Sequence, residues 1–204
     1  MKNVKLKAIA YIVLLVIIVS MVAACNGGGS GGGGTASNLS GTPESILTGI
    51  LEDITADGVE MPMALPPSSV DPEVSQYAIG LSTTDFNRLV ADVSYSMAAI
   101  GTFAHQLIVI QANNSAAAVE VKNLVSSDGG YDAQKWICVW PDKVATVDSG
   151  AYVLIVAAHS DVVDAALASF ESRAGSVGQV VLFWDFAVDG EGLEEGGGLE
   201  IALG

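Results

Sequence analysis

Residues 135–158 contain three apolar segments separated by two short turns, and this spacing constrains the fold more than any other feature of the chain. The segments read KWICVW, KVATVD and AYVLIVAA, with Pro141-Asp142 and Ser149-Gly150 between them. Because a turn of two residues reverses the chain within a few ångströms, it joins strands that pair antiparallel. The spacing therefore predicts three neighbouring antiparallel strands.

Apolar residues at spacings of three and four predict amphipathic helices elsewhere in the chain. The first helix begins at the capping residue Thr42, has Pro43 at its first position and ends before Gly58. Further helices are expected to begin at polar residues that favour the N-cap position, namely Ser82, Asn114 and Ser160. The helix after Ser82 is expected to extend through Val93.

Further strands are expected at YAIGL (77–81), FAHQLIVIQ (103–111) and QVVLFWDF (179–186). The second of these is apolar at both alternating positions, which is typical of a central strand. Hairpins mixed with helices favour an α+β fold with two layers, in which helices pack on one face of a mostly antiparallel sheet. Within residues 103–186 the order of elements suggests a split β-α-β arrangement.

The N-terminal residues have the layout of an exported lipoprotein precursor. Three lysines precede an apolar run at 8–24, which ends in VAAC at 22–25 and resembles the bacterial lipobox. In that motif the cysteine thiol receives a diacylglycerol, and the peptide bond before it is then cut. We expect residues 1–24 to be the signal peptide and Cys25 the lipidation site. The alternative is an uncleaved anchor, since the run is near the lower length limit for a membrane span.

The remaining chain divides by composition. Residues 25–42 are expected to form a lipidated cysteine and a glycine-rich flexible tether, with an end-to-end distance of roughly 20–25 Å. Residues 43–189 are expected to form a single α+β domain, and the acidic, glycine-rich residues 190–204 a disordered tail. The sequence thus predicts an extracytoplasmic domain anchored to the cell membrane through Cys25.

The charge of the chain is strongly negative. The formal net charge is −15, and removal of residues 1–24, which contain three lysines and no acid, makes it −18. A nucleic-acid partner needs a basic surface, so this charge excludes that class. It also disfavours spreading on anionic lipid headgroups, which leaves the N-terminal lipid as the expected membrane contact. Solubility explains the charge most simply, and binding of cations or a basic partner is the alternative.

The segment at 132–170, DAQKWICVWPDKVATVDSGAYVLIVAAHSDVVDAALASF, resembles the C-terminal half of a bacterial lipoprotein domain family of the Gram-positive type. Its Lys-Trp-Ile-Cys-Val motif at 135–139 carries the resemblance best, and further matching features extend it over residues 44–174. The family has no assigned function. The resemblance therefore implies a lipoprotein signal and a class of domain, but no mechanism.

Cys138 and His159 are the residues that most invite a catalytic interpretation. Cys138 lies in a predicted strand between two tryptophans, and an unpaired cysteine is most often a buried, small apolar residue. His159 follows AYVLIVAA and directly precedes Ser160, where a polar edge or helix-capping role is favoured over catalysis. We therefore expect Cys138 in the core and name no catalytic residue.

Binding residues are suggested by position only. Trp140 directly precedes the turn at Pro141, so it is the tryptophan best placed to contact a glycan or peptide, and His159 is the second candidate. The cysteines and histidines do not have zinc-ligand spacing. Residues 185–196 match a calcium-binding loop at too few positions to bind strongly. No metal or cofactor is expected.

These features predict a lipid-anchored envelope lipoprotein whose domain is a binding or interaction module, more plausibly non-catalytic than an enzyme. Its partner would be an envelope protein or a cell-wall component. Two alternatives remain open at this point, namely a small envelope hydrolase and an accessory solute-binding lipoprotein of a transporter.

Overall fold

A computed structural model describes residues 36–136 and 138–186. Within these ranges the chain forms five α-helices, which are α1 (Pro43–Ala56), α2 (Ser75–Ile79), α3 (Thr83–Leu89), α4 (Ser115–Val125) and α5 (Ser160–Ala174). It also forms five strands, which are β1 (Val90–Met97), β2 (Gln106–Ala112), β3 (Lys143–Ser149), β4 (Tyr152–Ala158) and β5 (Val181–Asp185). A short 3₁₀ helix at Pro72–Val74 leads into α2.

The strands form one sheet in the order β1-β2-β4-β3-β5, and every neighbouring pair is antiparallel. The predicted α+β class and antiparallel sheet are thus confirmed. The strands predicted at KVATVD, AYVLIVAA, FAHQLIVIQ and QVVLFWDF are present as β3, β4, β2 and β5. β2 lies inside the sheet, as its two apolar faces predicted.

Helices cover both faces of the sheet, so the prediction of two layers with helices on one face is wrong. Helices α2, α3 and α4 share a core with Ile108 and Ile155, whereas α1 and α5 share a second core with Leu107 and Leu154. Successive residues of a strand point to opposite faces, so the two cores lie on opposite sides of the sheet. The domain therefore has three layers.

The direction of the strands explains the third layer. Helix α4 connects β2 to β3 and α5 connects β4 to β5, and in each case one strand lies between the connected pair. Both connections move the same way across the sheet, but they start from strands that run in opposite directions. Since such crossovers are right-handed, the two helices must lie on opposite faces. Each connection is a split β-α-β unit, as the order of elements suggested.

Three segments differ from their predicted structure. YAIGL belongs to α2 and its end, because Gly80 adopts a left-handed φ of 79° and terminates the helix. Val90 begins β1 instead of continuing a helix, since the residues after it pair with β2. KWICVW contains no strand among its described residues, and Cys138 has a φ of 63°, which is incompatible with an extended strand.

A buried ion pair joins α4 to β3. Lys122 donates hydrogen bonds to the carboxylate of Asp148 and, at 3.1 Å, to the carbonyl oxygen of Gln179. The two charged side chains are only 9% and 3% exposed. The backbone of Gly178 packs directly against the Asp148 carboxylate and leaves no room for a side chain. The pair therefore fixes α4, β3 and the chain that enters β5 relative to one another.

Several predictions fall outside the described residues. These are the signal peptide at 1–24, Cys25 with most of the tether, and the tail at 190–204. Among the helices of the described ranges, none combines the length and the apolar character needed to cross a bilayer.

Candidate functional site

A cleft of about 1020 Å³ lies between α2, the loop at 126–134 and β5. We call it the aromatic cleft. Its apolar lining is provided mainly by four residues, Tyr77, Tyr131, Phe183 and Trp184, and its charged lining by three carboxylates, Glu73, Asp128 and Asp132. The Tyr77 side chain is 66% exposed, whereas Tyr131 is buried and contacts Phe183 edge to face, with 6.3 Å between the ring centroids.

Glycines bring the loop and α2 close enough to form this cleft. A Cβ atom on Gly80 would collide with the backbone of Tyr131, and its φ of +79° also favours glycine. A Cβ atom on Gly130 would collide with the carbonyl groups at the end of α4. The Gln76 side chain completes the junction by donating a hydrogen bond of 3.0 Å to the carbonyl oxygen of Gly129. The shape of the cleft therefore depends on direct backbone contact.

Behind the cleft, the Lys135 ammonium group lies in a cage of aromatic rings. It is 4.1 Å from the ring centroid of Tyr131, 5.2 Å from that of Trp136 and 5.7 Å from that of Tyr77. It donates hydrogen bonds to the Gln106 side-chain oxygen at 2.6 Å and to the backbone oxygen of Ala78 at 3.1 Å. Ring faces attract cations through their quadrupole, by about 0.5–2 kcal/mol for each favourable contact.

The environment of the cage shifts two pKa values. Burial lowers the pKa of Lys135 to about 7, and the negative charge of Asp132 opposes this shift in part. Burial also raises the pKa of Tyr131, to which the charge of Asp132 contributes. The Tyr131 hydroxyl therefore stays protonated, and it donates a hydrogen bond of 2.7 Å to the side-chain oxygen of Gln106. Lys135 can therefore change its charge near neutral pH while the Tyr131 hydroxyl stays neutral.

We expect the stability contributed by Lys135 to increase as pH rises from 7 to about 10. In this window the unfolded chain holds a proton that the folded chain has lost, because the folded pKa lies below the ordinary value of 10.5. Lys135→Met keeps an apolar stem and cannot titrate. The free energy of unfolding of wild type minus that of this variant should therefore be larger at pH 9.5 than at pH 6.5. Urea unfolding measures the difference, with Lys143→Met as the control. Parallel pH profiles for wild type and Lys135→Met would contradict the prediction.

Of the two residues predicted to bind, neither lines the aromatic cleft. Trp140 is half-buried and stacks on Phe186, with 5.8 Å between the centroids and 15° between the planes. His159 is exposed, and its Nδ1 lies 3.2 Å from Oδ2 of Asp142. The same carboxylate oxygen accepts the backbone N–H of Ser160 at 3.0 Å. Asp142 therefore performs the capping role at α5 that the sequence assigned to Ser160.

His105 lies near His159 but inside the protein. It is only 2% exposed, and its Nε2 has no hydrogen-bond partner among the described residues. Burial lowers its pKa to about 4, and the charge of His159 adds to this shift. Among the described residues, no serine, threonine or cysteine side chain donates a hydrogen bond to either histidine or accepts one from it. Within the described residues, the His159–Asp142 pair therefore has no hydrogen-bonded nucleophile.

Cys138 is exposed, so the prediction that it belongs to the core is wrong. The prediction assumed a strand, and the left-handed backbone at this residue places it in a loop instead. Within the described ranges, no group of three or more histidine, cysteine, aspartate or glutamate residues is arranged to hold a metal ion.

The residues that form the aromatic cleft were not found by sequence reasoning. Tyr77 lies in a segment whose composition predicts a strand, and Lys135 belongs to the Lys-Trp-Ile-Cys-Val motif, which predicts no binding site. The spacing of aromatic residues around Lys135, with Tyr131 four positions before it and Trp136 directly after it, is the one local signal. The contact with Tyr77, 58 positions away, is a product of the fold.

No family model, curated protein or solved structure matches the chain. Its resemblance to the lipoprotein domain family over residues 44–174 therefore stays a prediction. The chemistry of the aromatic cleft follows from the residues that line it.

Proposed function

We propose that the chain is an extracytoplasmic lipoprotein that works as a non-catalytic binding module, held on the cell membrane by lipidated Cys25. Its partner is an envelope protein or a cell-wall component that enters the aromatic cleft. The observation that carries this proposal is the cleft itself, which presents an exposed aromatic ring beside three carboxylates. Concave sites with aromatic walls and a few polar groups are typical of ligand binding.

The position of the cleft supports the proposal. The N-terminal segment joins the domain at one end of the sheet, where Asn38 donates to the carbonyl oxygen of Ala174 and Tyr152 donates to that of Gly41. Tyr131, which lines the cleft, donates a hydrogen bond to Gln106, and Gln106 lies at the opposite end of β2. A tether that joins the domain at one end of the sheet would leave the cleft at the other end, where a partner can reach it.

Catalysis is the weaker interpretation. The hydrolase alternative requires a nucleophile activated by a base, whereas His159 pairs with the carboxylate of Asp142. The exposed thiol of Cys138 lies in a loop, and nothing in its described surroundings pairs it with a histidine. Catalysis on a small molecule usually needs a site that closes and excludes water, whereas the cleft between the loop and α2 is open and can hold an extended partner.

Site-specific photo-crosslinking in intact cells tests the proposal. A photoreactive phenylalanine analogue at Tyr77 should crosslink to a defined envelope component, whereas the same analogue at Glu171 on α5 should not, because α5 lies on the other face of the sheet. Cys25→Ala should abolish labelling by a palmitate analogue and reduce the Tyr77 crosslink. Equal crosslinking from Tyr77 and Glu171 would refute the binding role of the cleft, and continued lipid labelling of Cys25→Ala would refute the anchor.

A further inference from the structure

The charged side chains described in the lining of the aromatic cleft are all carboxylates, and the Lys135 ammonium lies behind its aromatic wall. Glu73, Asp128 and Asp132 are exposed at its surface, and no lysine, arginine or histidine is among the described residues of its lining. The chain as a whole has a net charge of −15, so the surrounding field has the same sign. A negative field concentrates cations and repels anions at the mouth of a cleft. The cleft therefore disfavours phosphate, carboxylate and sulfate groups and favours a positively charged ligand.

The aromatic wall already binds one cation. The ammonium group of Lys135 lies against the rings of Tyr131 and Tyr77, which both line the cleft. Tyr77 is also 66% exposed, so much of its surface is open to solvent. A planar guanidinium group can stack on such a ring while its N–H groups reach carboxylates beside it. An external cation would therefore contact these rings by the same cation–π interaction that Lys135 makes within the chain.

We propose that the aromatic cleft binds an arginine or lysine side chain of a basic, extended peptide segment, which stacks on Tyr77 and pairs with Glu73 and Asp128. This inference rests on the proposed binding function and names the chemistry of the partner. The cleft's volume of about 1020 Å³ accommodates several residues of an extended chain. A neutral glycan would also stack on Tyr77, but it would form no ion pair with the three carboxylates, so the observations favour the basic peptide.

The test uses the full chain purified in detergent and a fluorescent tetra-arginine peptide blocked at both ends. Tetra-citrulline is the matched probe, because citrulline has nearly the shape of arginine without its charge. Tetra-arginine should bind with a stoichiometry of one, and its affinity should fall as salt is raised from 20 to 500 mM. Tetra-citrulline should bind at least tenfold more weakly.

Matched variants separate the cleft from the general charge of the chain. Glu73→Gln with Asp128→Asn should raise the Kd for tetra-arginine by roughly fivefold, the effect expected when two exposed ion pairs are lost. Tyr77→Ala should raise it by about threefold through loss of stacking. Glu52→Gln with Glu171→Gln removes the same charge from exposed positions on α1 and α5, on the other face of the sheet, and should change the Kd by less than twofold.

Three results would overturn the inference. Tetra-arginine could fail to bind, it could be weakened equally by the two double variants, or it could be displaced by a neutral tetrasaccharide of N-acetylglucosamine. In each case crosslinking from Tyr77 in cells would still report on the proposed binding function. A positive crosslink with no affinity for tetra-arginine would leave a binding module with a different ligand.

Discussion

Replacing Asp148 with asparagine is expected to lower the free energy of unfolding by about 3–5 kcal/mol. The change keeps the shape of the side chain but leaves the Lys122 ammonium buried without its counter-charge. The carbonyl oxygen of Gln179 still accepts from that ammonium, yet a single neutral acceptor does not replace a carboxylate. Urea unfolding at pH 7, followed by circular dichroism, measures the loss.

Two further variants define the mechanism of this loss. Lys122→Met combined with Asp148→Leu removes both charges, and it should recover much of the stability, because a buried ion pair contributes little beyond an apolar pair of similar size. Glu120→Gln breaks the exposed ion pair with Arg88 and should cost less than about 1 kcal/mol. A loss below about 1 kcal/mol for Asp148→Asn would show that water or a rearranged side chain compensates Lys122 in the folded protein.

The sequence predicted the elements whose signals are local. Thr42 caps α1, and the Ser45 N–H donates to its hydroxyl oxygen at 3.2 Å. Asn114 caps α4 in the same way, with the N–H of Ala117 at 2.9 Å. A two-residue turn joins β3 to β4 as predicted, but it lies at Gly150-Ala151, one position later than expected, because Ser149 pairs with Tyr152. In each case residues within three or four positions of one another determine the structure, so their types are sufficient evidence.

The sequence failed where distant contacts decide the structure. The third layer follows from the relative direction of β2 and β4, which no single segment encodes. The N–H at the start of α5 is capped by Asp142, 18 positions earlier, although Ser160 has the right residue type. KWICVW has a strand-like composition, but Lys135 contacts the Tyr131 ring and donates a hydrogen bond to the carbonyl oxygen of Ala78 in α2. The aromatic cleft was missed for the same reason.

Acidification from pH 6.5 to pH 4 is expected to cost the domain about 3 kcal/mol through His105 alone. Its pKa is about 4 in the folded protein and near 6.5 in an unfolded chain, because burial opposes the charged form. Between these values the unfolded chain takes up a proton that the folded chain does not, so stability falls as pH falls. Well above pH 6.5 both states are neutral, and the contribution disappears.

The variant His105→Leu isolates this effect from the titration of carboxylates. Leucine has a similar size and no polar atom, so it also removes the buried Nε2 that lacks a partner among the described residues. The stability difference between wild type and His105→Leu, measured by urea unfolding at half-unit steps, should increase by about 3 kcal/mol in favour of the variant between pH 6.5 and pH 4. His159→Gln, at an exposed position, should retain most of the wild-type slope, since burial is the larger cause of the shift. Parallel profiles for wild type and His105→Leu would mean that His105 gains its proton without leaving the folded state.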